Sequence, residues 1–110
     1  MDTITALKTF SALSQQTRLD VFRLLVKAGE KGALSGEIGE QLNVRQNTMS
    51  TNLTVLLNAG LVRNERQGRT IRYFADFDAL RSLLAFLMED CCGGNPEICQ
   101  PIIEEIACAC

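Results

Sequence analysis

A chain of 110 residues, 46% apolar and 22% charged, is sized for a single folded domain and too apolar to be disordered. No apolar run approaches the roughly 18 residues that span a bilayer, and Met1-Asp2-Thr3-Ile4 lacks the basic start of a secretory leader, so the expected compartment is the cytoplasm, with no membrane partner. The net charge of −2 conceals a pattern: residues 1–42 are neutral, residues 43–75 carry +4 from five arginines against Glu65, and residues 76–110 carry −6. A basic middle in an acidic chain is the footprint of a polyanion partner, or else an arginine-rich solvated face.

Ile4, Leu7, Phe10 and Leu13 recur at helical spacing and predict a first helix over about 3–13. Ser14 or Thr17 is the expected cap of a second, which runs to Ala28 and stops at Gly29. Its apolar set, Leu19, Val21, Phe22, Leu24, Leu25 and Val26, covers most of the circumference, as in a helix packed on several sides. After the turn Gly29-Glu30-Lys31-Gly32, Ser35 is the expected cap of a short helix to Leu42, ended by Asn43 in the left-handed conformation. The next helix spans about Gln46–Ala59, with Met49, Leu53, Leu56 and Leu57 as its buried stripe and Gly60 as its end. Two short helices joined this closely make a helix-turn-helix.

Leu61–Arg66 and Thr70–Ala75 are β-compatible runs joined by Gln67-Gly68-Arg69, a hairpin with a basic tip. Asp76 or Asp78 caps a helix that reaches about Asp90. Leu80, Leu83, Leu84, Phe86, Leu87 and Met88 are too many for one face, so one face is expected to cover the core and another a partner. The expected fold class is mostly α with a β-hairpin wing, a winged helix-turn-helix in one domain, followed by a cysteine-rich segment at 91–110.

With its stripe buried, the Gln46–Ala59 helix is expected to expose Gln46, Asn47, Thr48, Ser50, Thr51, Asn52 and Thr54, with Arg45 at its start. A merely solvated helix favours Glu and Lys. Asn, Ser and Thr are poor helix formers, and contact with DNA offsets that cost: Asn and Gln pair bidentately with adenine, Arg with guanine, and threonine methyls touch thymine methyls. Arg66, Arg69 and Arg72 on the hairpin are the expected grip on the phosphate backbone or minor groove. The bland alternative is a hairpin kept soluble by charge, in a winged-helix interaction module that never touches DNA.

The stretches Phe10-Ser11-Ala12-Leu13-Ser14 with Thr17-Arg18-Leu19, Thr48-Met49-Ser50-Thr51-Asn52-Leu53-Thr54-Val55-Leu56 leading into Ala59-Gly60-Leu61-Val62, and the wing Arg66-Gln67-Gly68-Arg69 before Tyr73 resemble the ArsR/SmtB family of bacterial winged-helix metal-responsive repressors over residues 4–90. The resemblance implies a homodimer, joined through its first and last helices, that represses at an inverted-repeat operator in double-stranded DNA until an inducer binds. It implies no enzyme.

The inducer site departs from two patterns of that family. A zinc-type site on the last helix depends on histidine, absent here, and the Cys-x-Cys arsenic site before the recognition helix has no counterpart in Ser35-Gly36-Glu37-Ile38-Gly39-Glu40-Gln41-Leu42. Cys91-Cys92-Gly93-Gly94-Asn95-Pro96-Glu97-Ile98-Cys99 instead resembles the arsenite-responsive branch with cysteines just after the final helix. Soft thiolates select soft ions, and pyramidal As(III) or Sb(III) takes three sulfurs where tetrahedral zinc would want a fourth ligand. Gly93-Gly94 and Pro96 are expected to end the helix, letting Cys91 and Cys92 splay and Cys99 turn back beside them. Cys108 and Cys110 form a weaker second pair, with Ile102, Ile103 and Ile106 on a short helix after Pro101. The alternatives are cadmium or lead at the same thiolates, a thiol-redox repressor, a small thiol enzyme such as an arsenate reductase, and cysteines that are ordinary buried residues at a helix end.

Overall fold

Asp2 opens the first helix, α1 (Thr3–Leu13): its Oδ1 accepts from the Thr5 N–H at 2.8 Å. Hydrogen bonds from Thr5, first from its side chain and then from its backbone, hold the Asp2 carboxyl below the usual carboxylate value. The face that α1 buries is made of small side chains, Ala6, Thr9 and Ala12, which let the helix lie close to its neighbours. Most of the apolar series read from the sequence points the other way: Ile4 is 79% exposed and Leu7 62%, while Leu13 packs against the core. The computed structural model describes residues 1–89 and 91–106, leaving aside the side chains of Cys91 and Cys92.

The second helix, α2 (Gln16–Ala28), is capped by Gln15, whose Oε1 accepts from the Arg18 N–H at 2.9 Å. Ser14, one of the expected caps, instead terminates α1, its hydroxyl donating to the Ser11 carbonyl at 2.7 Å. Val21, Phe22 and Leu25 enter the core, while Leu19 stays 41% exposed, so α2 is not covered all round. A 3-10 turn, Gly29–Lys31, leads to Gly32 at φ 63°, where a Cβ would strike the Tyr73 carbonyl and the Phe74 ring.

That close approach places β1 (Ala33–Leu34), a two-residue strand not expected from the sequence, on the edge of a sheet with β2 (Val62–Gln67) and β3 (Thr70–Ala75) in the order β1-β3-β2, antiparallel throughout. Between β1 and β2 come α3 (Ser35–Leu42) and α4 (Gln46–Asn58). Ser35 is the first residue of α3 rather than its cap; Leu34 holds the cap position, and the Glu37 carboxylate accepts from its N–H at 2.8 Å. Asn43 ends the helix at φ 55°, ψ 48°, as expected. Met49, Leu53 and Leu56 of α4 are buried with Ile38 of α3, Leu25 of α2, Leu61 and Tyr73 in one core.

Asp76 begins α5 (Phe77–Leu87), its Oδ1 accepting from the Ala79 N–H at 3.0 Å. Only Leu83 of this helix is buried, and Leu84 and Leu87 are exposed. A 3-10 turn, Cys91–Gly94, precedes α6 (Pro96–Ile106). Here the structure corrects the sequence reading. Pro96 opens a helix rather than closing one, since the first helical residue needs no N–H donor, and Pro101 lies inside α6 instead of before it. No helix among the described residues is long and apolar enough to cross a membrane.

Candidate nucleic-acid interface

Burial of Met49, Leu53 and Leu56 decides what α4 presents outward. Gln46, Asn47, Thr48, Ser50, Thr51 and Thr54 are exposed. The Thr51 hydroxyl donates to the Asn47 carbonyl at 3.1 Å and the Thr54 hydroxyl to the Ser50 carbonyl at 2.9 Å. Their protons are thus engaged by the helix, which leaves the hydroxyl oxygens as acceptors. Asn47 Oδ1 takes the Thr48 N–H at 2.8 Å, which leaves the amide NH2 free to donate. Arg45, in extended conformation just before α4, is exposed and makes no cap hydrogen bond.

Two residues of the expected set behave differently. Gln46 is exposed, but its Nε2 donates to the Ser35 carbonyl at 3.2 Å, pinning the start of α4 to the start of α3. Asn52 is 6% exposed and belongs to the inner side of the helix, so its expected place on the outer surface is corrected. At 100° per residue it lies about 60° from Met49, on the margin of the buried arc. Its Oδ1 accepts from Arg18 Nη1 at 3.3 Å.

The wing is the β2–β3 hairpin, turned by Gly68 and Arg69 with Gly68 at φ 66°. Its register pairs Arg66 with Ile71 and Glu65 with Arg72. Directly opposed residues share a sheet face and neighbours along a strand alternate, so Arg66 and Arg72 lie on opposite faces. Arg66 and Arg69 are exposed. Arg72 is half-buried: its Nε donates to Gln67 Oε1 at 3.0 Å and its Nη1 to the Lys31 carbonyl at 3.2 Å. It braces the wing against the body instead of extending from the tip with the other two. Arg63, not singled out from the sequence, stacks 4.7 Å from the centroid of the Phe74 ring.

Of the cysteines, Cys99 is described in full: it lies on α6, is 7% exposed and is disulfide-bonded. Cys91 and Cys92 begin the 3-10 turn, but the splaying and convergence expected of their side chains fall outside the described residues, as do Cys108 and Cys110. Among the described residues no group of three or more Cys, Asp or Glu gathers as a metal cluster.

A turn-linked helix pair, an outward face of amides and hydroxyls, and a basic wing beside it define a winged helix-turn-helix DNA-binding protein. Residues 13–65 match the family described as a helix-turn-helix domain. An HTH-type transcriptional regulator of Bacillus subtilis, YbzH, is 31% identical over 74% of this chain and 93% of its own. The fold is similar to that of an ArsR-like transcriptional regulator from Rhodococcus sp. RHA1, with a TM-score of 0.70 and 25% identity over 97% of this chain and 96% of the other. It is also similar to the homodimeric winged helix-turn-helix domain of Mb0332 from Mycobacterium bovis, with a TM-score of 0.64 and 24% identity over 78% and 80% of the two chains. The chain belongs to the helix-turn-helix transcriptional regulators, and its fold is similar to that of an ArsR-like member. Its relatives are regulators and not enzymes, which sets the thiol-enzyme alternative aside.

Proposed function

We propose that the chain acts as a homodimeric cytoplasmic repressor. Two copies of α4 enter successive major grooves of an inverted-repeat operator, about 34–36 Å apart, and the wings hold the flanking backbone. The observation that carries this reading is the outer face of α4, where Asn47, Thr48, Ser50 and Thr51 stand exposed over buried Met49, Leu53 and Leu56 (the expected Leu57 is only partly buried), with exposed Arg45 at its start and exposed Arg66 and Arg69 on the wing. Pairing is supported by the exposed apolar side chains of the first helix and of α5, and a protein of the same fold, Mb0332, is homodimeric.

The proposed inducer is As(III) or Sb(III), held by the thiolates of Cys91, Cys92 and Cys99. The donor chemistry supports it: the chain has no histidine, and these three soft ligands sit within nine residues of one another. Cys99 has no thiolate to offer while disulfide-bonded, so ion capture requires the reduced protein. Capture would reset the segment after α5 and disfavour the DNA-bound dimer by about 1–3 kcal/mol, an ordinary allosteric coupling. The disulfide at Cys99 favours a second reading, in which oxidation is itself the signal. Two thiols there lose two protons and two electrons to an oxidant such as peroxide, which leaves as water.

The test is fluorescence anisotropy of a labelled duplex taken from upstream of the chain's own reading frame. Arsenite added under phosphine reductant releases the wild type and spares Cys91→Ser and Cys92→Ser. Release of those variants by arsenite overturns the inducer site; release by peroxide alone, reversed by reductant, selects the redox reading. Absence of any binding to the duplex overturns the operator reading itself.

A further inference from the structure

Arg18 stands at the crossing of three helices. Its Nε donates to the Ala12 carbonyl at 2.6 Å, and its Nη1 donates to Asn52 Oδ1 at 3.3 Å. Ala12 is in the last turn of α1, where carbonyls lack an intrahelical partner and carry the negative end of the helix dipole. Asn52 is buried at the middle of α4, one residue from the exposed Thr51. The guanidinium therefore caps the end of one helix and holds the flank of the recognition helix, from a position in the first turn of α2.

Gln46 pins the start of α4 to the Ser35 carbonyl; along the body of the helix the remaining hold is apolar, from Met49, Leu53 and Leu56 with Val55 and Leu57 partly buried beside them. Apolar burial fixes which side of a helix faces inward, but it is non-directional and tolerates small rotations about the helix axis. A hydrogen bond to a half-buried, rigidly forked cation is directional, and the low dielectric around it makes departure from its geometry costly. Base readout depends on that rotation, since Asn47, Thr48 and Thr51 must meet base edges within hydrogen-bonding distance.

We propose that Arg18 is a positioning residue for DNA recognition: by joining the Ala12 carbonyl to Asn52 it sets the rotation of α4 relative to α1, and hence where the reading side chains fall. The role rests on the operator reading above. It also gives α1, whose outer side chains Ile4 and Leu7 are exposed, a direct mechanical line to the recognition helix.

The experiment compares wild type, Arg18→Gln, Asn52→Ala and the double variant. Anisotropy is measured on the duplex from upstream of the reading frame, at a temperature where circular dichroism shows each variant fully folded. A residue that only stabilises the fold leaves the affinity of the folded molecules unchanged. The expected result is a loss of about tenfold in each single variant and no further loss in the double variant, because both remove one strut. Asn52→Ala carries the test alone if Arg18→Gln does not fold. Folded Asn52→Ala protein that binds as tightly as wild type overturns the role of Arg18, as do losses that multiply in the double variant. Wild type that binds no duplex overturns the operator reading, and the role of Arg18 with it.

Discussion

Gln46 and Gly39 are in contact across the helix-turn-helix: the Gln46 side-chain amide lies where a Cβ on Gly39 would stand, and the Val44 carbonyl is 2.9 Å from that same point. The amide passes over the glycine to reach the Ser35 carbonyl. A hydrogen atom at position 39 is thus what allows α3 and α4 to close on their turn. Gly39→Ala displaces either the amide or the turn backbone, and the backbone has little room to yield. The expected cost is about 1–3 kcal/mol, seen as a lower urea midpoint at unchanged slope. Gly36→Ala, a substitution with open space around it in the same helix, is the control and is expected to be neutral or slightly stabilising.

The arginines of the wing divide into two kinds. The side chains of Arg66 and Arg69 are exposed and make no hydrogen bond within the described residues, so Arg66→Gln and Arg69→Gln should leave the melting temperature unchanged. Each should lower DNA affinity across sequences and reduce the slope of log K against log salt by about 1. Arg72 is bonded to Gln67 and to the Lys31 carbonyl. Arg72→Gln should instead lower stability, by up to about 1 kcal/mol, with a smaller effect on the salt slope. Measuring both quantities for the three variants separates them; equal salt slopes for all three would place Arg72 on the phosphate as well.

Helix boundaries were readable in the sequence: Gly29, Asn43 and Gly60 each take a positive φ where the apolar period stops. The contrast between Arg66 and Arg72 was not, because it depends on the register: a hairpin connected by Gln67-Gly68-Arg69 would set Arg66 opposite Thr70 and both arginines on one face, whereas the observed two-residue turn pairs Arg66 with Ile71. What else stayed hidden was long-range or too short to have a period. The Arg18–Asn52 pair joins residues 34 apart; helical spacing, three residues after Met49 and four before Leu56, places Asn52 at the edge of the buried arc but does not reveal its partner. The strand Ala33–Leu34 has two residues and no alternation to detect. Pro96 is ambiguous by nature, since the missing N–H that ends one helix suits the first residue of another. On α1 the period revealed a helix but not its inner face, which uses Ala6, Thr9 and Ala12.

Deep in the core, Ile38 of α3 and Leu53 of α4 are each at most 1% exposed, and both helices of the reading unit depend on them. Leu53→Ala leaves a cavity in the core that these helices share. A loss of about 2–5 kcal/mol is expected, read from urea unfolding. At temperatures where the variant remains folded, DNA affinity should fall less than in Asn52→Ala, since the directional hold on α4 through Arg18 is intact.

The outward side of α1 gives a prediction about assembly that the isolated chain alone would not make. Leu7 is 62% exposed, and a substitution at such a position in a monomer changes stability by no more than about 0.5 kcal/mol. In a homodimer built on this helix and α5, Leu7 is covered by the partner, and Leu7→Glu places a charge in an apolar contact that offers it no counter-ion. Sedimentation of wild type should then give twice the mass of Leu7→Glu at micromolar concentration. The variant should also lose most of its affinity for an inverted repeat, because one reading head makes half the phosphate contacts, while keeping the helical content of the wild type. A Leu7→Glu protein that sediments and binds as the wild type does would place the dimer contact elsewhere, on α5 or on the exposed isoleucines of α6.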